Sequence, residues 1–339
     1  MKPQKFGIVV FSAAALFLLI VDSHTAAAGV REGLELCIRT LIPSLFPFFV
    51  VSNLLTSMMM ESTLTFLKPL GKLCKIDSGC ESLLVVGFLG GYPVGAQNIA
   101  MSLRSGAISG TTAKRMMAFC NNAGPAFLFG IVGGMFSSKW SVLLLWLIHI
   151  AGAVLVSFSI PRNDTEPAKS MNAKPMNLSR LIEQSIKTMA IVCGWVVLFR
   201  LMLHFLDKWI PLRISAPGQV LLSGILELSN GCVQLSGIGN EGLRFVVCSV
   251  ILAFGGLCVT IQTFSLCQGC DMTYYFPGKM LQAIFCFLMS YFTQLIIFPD
   301  SCIRLPSVVL LMPAGALLLI IYCLRKNKIS CSNSAPVGV

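Results

Sequence analysis

Charge is what this sequence has least of. Only 12% of its 339 residues are Asp, Glu, Lys or Arg, and only 14 are acidic. So little charge cannot coat a globule of this length, which excludes an ordinary soluble enzyme; a disordered chain is excluded by the apolar content. The three histidines, His24, His149 and His204, stand far apart and form no ligand pattern. Cys267 and Cys270 make a lone CxxC with no second Cys or His pair beside it, so neither a zinc site nor a redox site is expected. The other cysteines are scattered, many inside apolar runs, where Cys serves as a small hydrophobe. There is no Walker loop, no Ser–His–Asp arrangement and no metal-ligand cluster. ATP-driven work and enzymatic chemistry are therefore not expected, and no cofactor is called for. What the chain has in excess is apolar surface: 55% of residues are hydrophobic, with a mean hydropathy of +0.81. The class that remains is an all-α polytopic membrane protein whose first partner is the lipid bilayer.

The formal net charge of +11 raises the question of nucleic acid. A nucleic-acid binder gathers its Lys and Arg on one face. Here they fall in short gaps between apolar runs, where the positive-inside rule acts, so no nucleic-acid partner is expected. A span needs about 20 apolar residues, because the hydrocarbon core is about 30 Å thick and a helix rises about 1.5 Å per residue. Eight segments qualify: 6–21, 34–58, 117–136, 141–160, 185–206, 245–266, 280–298 and 305–324. The first follows Lys2 and Lys5 and precedes Ala26-Ala27-Ala28, a pattern shared with cleaved leaders; a retained first span is the expectation.

Two further apolar stretches, 82–100 and 217–238, are broken in the middle, by Gly90-Gly91-Tyr92-Pro93 and by Glu227-Leu228-Ser229-Asn230-Gly231. Backbone that leaves the helix in lipid costs several kcal/mol per unpaired group, so such breaks persist only against protein or a wet cavity. Each arm reaches about 14 Å, half the core. Both stretches read as re-entrant helical hairpins with tips near the midplane. Eight crossings and two hairpins put 16 of the Lys and Arg residues inside, Lys279 among them, and 6 outside. That bias fits the positive-inside rule.

The first hairpin then enters from the inside and the second from the outside. Their neighbours match in opposite orientation, and GFLGGYP (87–93) faintly echoes GILELSN (224–230). This is the inverted-repeat plan of secondary transporters. The organisation expected is an N-terminal span and outer loop (1–33), a first repeat (34–160), a cytoplasmic linker (161–184), a second, inverted repeat (185–300), and a last span with a cytoplasmic tail (301–339). The sequence carries no signal for an oligomeric state.

Discontinuous helices point N–H groups and positive dipole ends at the midplane, which suits a polar or anionic small-molecule solute. The candidate binding residues are therefore Gly91, Tyr92, Pro93, Gly95 and Gln97 at the first break, and Glu227, Ser229 and Asn230 at the second. Asn121 and Asn122, and Thr260 and Gln262, follow the two hairpins inside apolar stretches, as binding residues or as glue between helices. Glu227 is the one carboxylate at the middle of an apolar segment, a candidate for a coupling proton or sodium ion or else a structural partner. Arg39 is an anion ligand or a residue that snorkels to the interface.

At GFLGGYPVGAQ (87–97), AFCNNAGP (118–125) and LAFGGL (252–257) the sequence resembles the YlbJ/SpoVV sporulation integral membrane protein family, which carries nucleoside-recognition Gate domains. The resemblance runs over roughly residues 30–325. It implies two Gate-like repeats, a plan similar to concentrative nucleoside transporters, and movement of dipicolinic acid, a planar dianion, across the outer forespore membrane. The expected function is a secondary transporter of a small anionic solute. The alternatives are a cation-coupled nucleoside transporter and a non-transporting protein of spore-envelope assembly.

Overall fold

Helix forms where the apolar runs are continuous and stops where Gly, Pro or a capping side chain interrupts them. The structure, a computed structural model, describes residues 3–59, 65–161, 177–210 and 214–332. Among the described residues every regular element is helical. The first half runs α1 (Pro3–Val21), α2 (Ser23–Leu36), α3 (Ile42–Met59), α4 (Lys68–Leu73), α5 (Glu81–Leu89), α6 (Val94–Arg104), α7 (Gly110–Met117), α8 (Pro125–Gly130) and α9 (Lys139–Ser159). The second runs α10 (Leu178–Trp209), α11 (Ala216–Leu226), α12 (Leu228–Gln234), α13 (Glu241–Phe254), α14 (Gly256–Leu266), α15 (Tyr275–Ile297) and α16 (Ser307–Ser332). A π-helical turn, Cys37–Leu41, joins α2 to α3 without interruption. Residues 23–33, assigned to an outer loop from the sequence, are thus helical.

Among the described residues five helices are long and apolar enough to cross a membrane: Ser23–Leu55, Lys139–Ser159, Leu178–Trp209, Glu241–Leu266 and Tyr275–Ile297. They overlap the expected spans 34–58, 141–160, 185–206, 245–266 and 280–298. The apolar parts of α1 and α16, Ser12–Val21 and Leu310–Leu324, are shorter. The expected span 117–136 is not one helix. α7 ends at Met117, residues 118–124 are non-helical, and α8 starts at Pro125. Proline disfavours helical backbone at the residue before it, and Gly124 is accordingly extended, with φ −78° and ψ 161°. The 245–266 helix is also interrupted, at Gly255 (φ +80°), so its two parts are α13 and α14. The proline-rich linker lies largely outside the described residues.

Both interrupted hairpin stretches are present as pairs of short helices. The first break falls on residues 90–93, as the sequence predicts. The second is narrower than expected: only Glu227 leaves the helix, and residues 228–234 are helical. The reason is local, since Glu227 caps α12 with its own side chain. In each hairpin the arms cross at a glycine pair. A methyl group on Gly95 would lie 3.0 Å from Cα of Gly87, and one on Gly231 would be driven into Gly224. The echo between GFLGGYP and GILELSN therefore aligns Gly87 and Gly224 as the two crossing points.

Each half repeats one order: a long helix, a broken hairpin, a broken helix, a long helix. The leading long helices run antiparallel. Lys208 at the end of α10 meets Asp22 before α2 (2.6 Å), and Asn53 of α3 donates to Ser185 near the start of α10 (3.0 Å). Gly29 and Gly33 let the two backbones close up, since a methyl on either would sit 2.9 Å from an α10 Cα. α15 packs antiparallel on α13, with Ser249 donating to the Cys286 carbonyl and Gly242 seated against Gln294.

The loop between α14 and α15 is tied back to α7 by an ion pair, Lys114 to Asp271 at 2.8 Å. Partial burial pushes the Asp271 carboxyl up, but the Lys114 ammonium and the Thr273 hydroxyl and N–H outweigh it and hold the pKa down to about 2. A depressed folded pKa contributes stability that is present above the ordinary value of 3.8 and is lost as pH falls through about 2. Asp271→Asn is thus expected to lower the unfolding temperature at neutral pH. The difference from the native chain should vanish as pH drops between those two values; a difference that persists unchanged in acid would reject the pairing as its cause.

Candidate functional site

The four breaks meet. Gly91 at the first hairpin break lies against Gly124 in the first broken helix, where a methyl on Gly124 would be 2.8 Å from the Gly91 Cα. Gly255 and Gly256, both at φ +80°, form the break of the second broken helix. A methyl on Gly255 would touch the Tyr92 hydroxyl at 3.0 Å, and one on Gly256 would lie 3.1 Å from the Leu228 nitrogen. Only glycine combines this left-handed backbone with such close approach from both sides. The second broken helix therefore stands between the two hairpin breaks and touches both.

The helix ends freed by the breaks are not bare. Glu227 is buried, and its two carboxylate oxygens accept the N–H groups of Ser229 (2.9 Å) and Asn230 (2.6 Å). This is an N-cap made by an acidic residue, favoured by hydrogen bonding and by the helix dipole. At the first hairpin the Asn121 side-chain oxygen accepts the Ala96 N–H of α6 at 3.4 Å. Each second arm is thus capped by a side chain of this chain, a role the sequence reading had reserved for a bound solute.

Between the breaks lies a narrow cleft. Its walls include Gly91, Tyr92, Gly124, Glu227, Ser229 and Gln262, with Phe48, Phe49, Phe127, Val192 and Val196 supplying most of the surface. Its free volume is about 40 Å³. That holds about three waters and no ring-sized molecule. The lining carries one carboxylate and no basic side chain. A second, wider cleft of about 390 Å³ is lined by Gln97, Arg180, Glu183, Lys187, Thr188 and Leu266, among others. Thr188 and Val192 are one turn apart on α10, and Gln262 and Leu266 one turn apart on α14. The two spaces therefore follow each other along the α10–α14 groove, and Thr188 of α10 donates to Gln97 of α6 at 3.2 Å.

Behind the cleft wall sits a polar network that the sequence reading missed. Lys279, counted from sequence as an inside loop charge, is fully buried in the first turns of α15. Its ammonium donates to the Tyr92 hydroxyl (3.0 Å) and to the side-chain oxygen of Gln282 (2.8 Å). Gln282 donates in turn to Asn122 (2.8 Å) and to the His149 backbone carbonyl (3.1 Å), and His149 Nε2 accepts the Ala123 N–H (3.0 Å). Tyr92 donates onward to the Leu252 carbonyl at 3.2 Å. One signal could have shown it. Tyr275, Lys279, Gln282, Ser290 and Gln294 form a polar stripe at helical spacing on an otherwise apolar helix, and in a membrane such a stripe faces protein.

The structure brings Gly91, Tyr92, Glu227, Ser229 and Gln262 to the cleft. Asn230 is buried beside it, and its side-chain oxygen accepts from Arg200, which also reaches Glu32 at 2.6 Å. Pro93 caps α6 and Gly95 packs on the Cys120 carbonyl, both behind the lining. Gln97 belongs to the wider cleft. Asn121 and Asn122 are fully buried and occupied: Asn121 donates to Thr263 (3.1 Å) and Tyr275 (3.2 Å), and Asn122 to the carbonyls of Gly87 (3.3 Å) and Phe119 (2.7 Å). Thr260 donates to the Gly256 carbonyl at 3.0 Å and steadies the break. Arg39 is not part of the site. Its side chain is 77% exposed on the π turn, paired with Glu35 at 3.1 Å, because a residue on the outer face of a two-helix contact has no route to the cleft.

No family model matches the chain, and no solved structure matches it. Among curated proteins it is similar to the sporulation integral membrane protein YlbJ of Bacillus subtilis (strain 168). The two are 24% identical over 344 aligned positions, which cover 84% of this chain and 82% of the relative.

Proposed function

We propose that this chain, a multi-pass membrane protein similar to YlbJ, is a secondary transporter of a small polar, anionic solute that works during sporulation. The meeting of four helix breaks, three of which line one cleft while the fourth packs against Tyr92 and Leu228, carries this reading. Irregular backbone at membrane depth is tolerated where it lines a binding cavity, and paired broken helices at a repeat interface are how transporters build one. In this reading the α5–α6 and α11–α12 pairs are re-entrant hairpins of two inverted repeats, as in concentrative nucleoside transporters. One bundle rocks against the other around their tips. The cleft as it stands is too small for the solute, and the wider cleft along α10 is its inner approach, with Arg180 at the mouth to draw in an anion and Lys187 paired there with Glu183. By resemblance the solute is dipicolinate and the membrane the outer forespore membrane.

The test is uptake by proteoliposomes that carry the purified protein. Saturable accumulation of dipicolinate, absent from empty vesicles, is the expected result. Correctly folded protein that moves neither dipicolinate nor any nucleoside would overturn the reading. One observation favours a coupled form of it: the cleft lining presents the Glu227 carboxylate and no cation, so a proton or sodium ion would be held there alongside the solute.

A further inference from the structure

An anionic solute needs a positive partner, and the cleft lining has none. The described part of the chain does hold one cation without an ion-pair partner in its core. Lys279 is fully buried, its hydrogen-bond partners are the neutral oxygens of Tyr92 and Gln282, and no carboxylate lies within ion-pair distance among the described residues. The other ionisable groups near it are His149 and the thiols of Cys120 and Cys286. An ammonium ion taken out of water without a counter-charge is strongly unfavourable. A Met would fill the same space without that penalty. The ammonium also lies over the Tyr92 ring, 4.9 Å from its centroid, and that ring is part of the cleft wall. Tyr92 follows Gly91 in the non-helical break, and its side chain is held there by its hydroxyl, which donates to the Leu252 carbonyl at 3.2 Å.

We propose that Lys279 is the counter-charge for the solute's anionic group, and that Tyr92 is the shutter between that amine and the cleft. The proposal rests on the transport reading and sharpens it. The solute class is a small carboxylate, bound with its acidic group against Lys279 once Tyr92 swings aside and its remainder against the apolar walls. Tyr92 keeps the ammonium hydrogen-bonded while the site is empty, and the solute's oxygens replace the phenol when it is full. Glu227 lines the same cleft, so its charge already balances that of Lys279, and each negative charge on the solute calls for one further cation or proton.

The experiment compares the full-length native chain with Lys279→Met, Lys279→Gln and Lys279→Arg, using dipicolinate as the probe. Thermal unfolding in detergent is read with and without it, and flux is read in proteoliposomes. Lys279→Met is expected to unfold at the same or a higher temperature than the native chain when no solute is present. It should lose the dipicolinate-induced shift and weaken binding about thirtyfold or more, the scale seen when a buried charge pair loses one partner. Lys279→Gln, which keeps a donor for Tyr92 without the charge, should lose binding equally, and Lys279→Arg should keep part of it. Native-like dipicolinate binding by the Gln variant would overturn the proposal and leave the transport reading standing. So would flux of a neutral nucleoside alone, indifferent to residue 279. A native chain that binds and moves nothing would bring down both.

Discussion

Gly95→Ala is expected to destabilise the purified protein more than an ordinary core substitution and to abolish any flux it supports. The added methyl would fall far inside contact distance of the Cys120 carbonyl oxygen and 3.0 Å from the Gly87 Cα. A backbone free to yield would absorb this, but Cys120 is not free. Its neighbours Asn121 and Asn122 are hydrogen-bonded to Thr263, Tyr275, Gln282 and the Gly87 carbonyl. Overpacking a rigid site costs about 1–3 kcal/mol and sometimes more, and this one belongs at the top of that range. The strain falls on α6 one turn after Tyr92, so the cleft wall moves with it. Gly194→Ala is the control. Gly194 lies inside α10 with nothing within 4 Å of an added methyl, so the same chemical change should stabilise by about 0.5–1 kcal/mol. Thermal unfolding of both in detergent decides it. A Gly95→Ala protein as stable as the native chain would mean that α6 is not seated on Cys120.

Much of this arrangement is written locally and so is legible in the sequence. Gly90-Gly91-Tyr92-Pro93 breaks a helix through its own backbone chemistry, and the break is where it is expected. Glu227 stands out as a carboxylate in an apolar run and does line the cleft. What could not be read depends on neighbours far along the chain. The break at Glu227 is only one residue wide because its side chain does the capping, and propensity alone does not show that. The 117–136 run has the composition of a span, yet Gly124-Pro125 and the backbone partners offered by Asn121 and Asn122 make a non-helical segment affordable there. Lys279 was misplaced for a related reason. Counting charges at the ends of spans treats every lysine there as solvated, whereas the α15 polar stripe turns this one toward Tyr92. Arg39, in contrast, looked chemically special only because its paired face with Glu35 is invisible without the helix.

Glu227→Gln and Glu227→Asp are expected to separate the two roles that this carboxylate combines. As a cap it needs two acceptor oxygens, one for Ser229 N–H and one for Asn230 N–H. Gln has one oxygen and turns an N–H₂ toward the other donor, which leaves a buried N–H unsatisfied at a cost of about 1–3 kcal/mol. Asp is among the strongest N-cap residues and keeps both oxygens, so Glu227→Asp should unfold close to the native temperature. As a cation site the group needs its charge at the cleft wall, 2% exposed and level with Gln262 and Tyr92. Gln removes that charge, and Asp withdraws it by one methylene toward α12. If Glu227 holds a coupling proton or sodium ion, the Gln variant loses the dependence of flux on the cation gradient, while the Asp variant keeps the dependence at weaker cation affinity. If the carboxylate is a cap alone, the Gln variant is less stable but its flux follows the cation gradient as before. The stability difference is fixed by the two N–H groups in either case, so unfolding temperature serves as the internal check that each substitution acted on the contacts it was chosen to change.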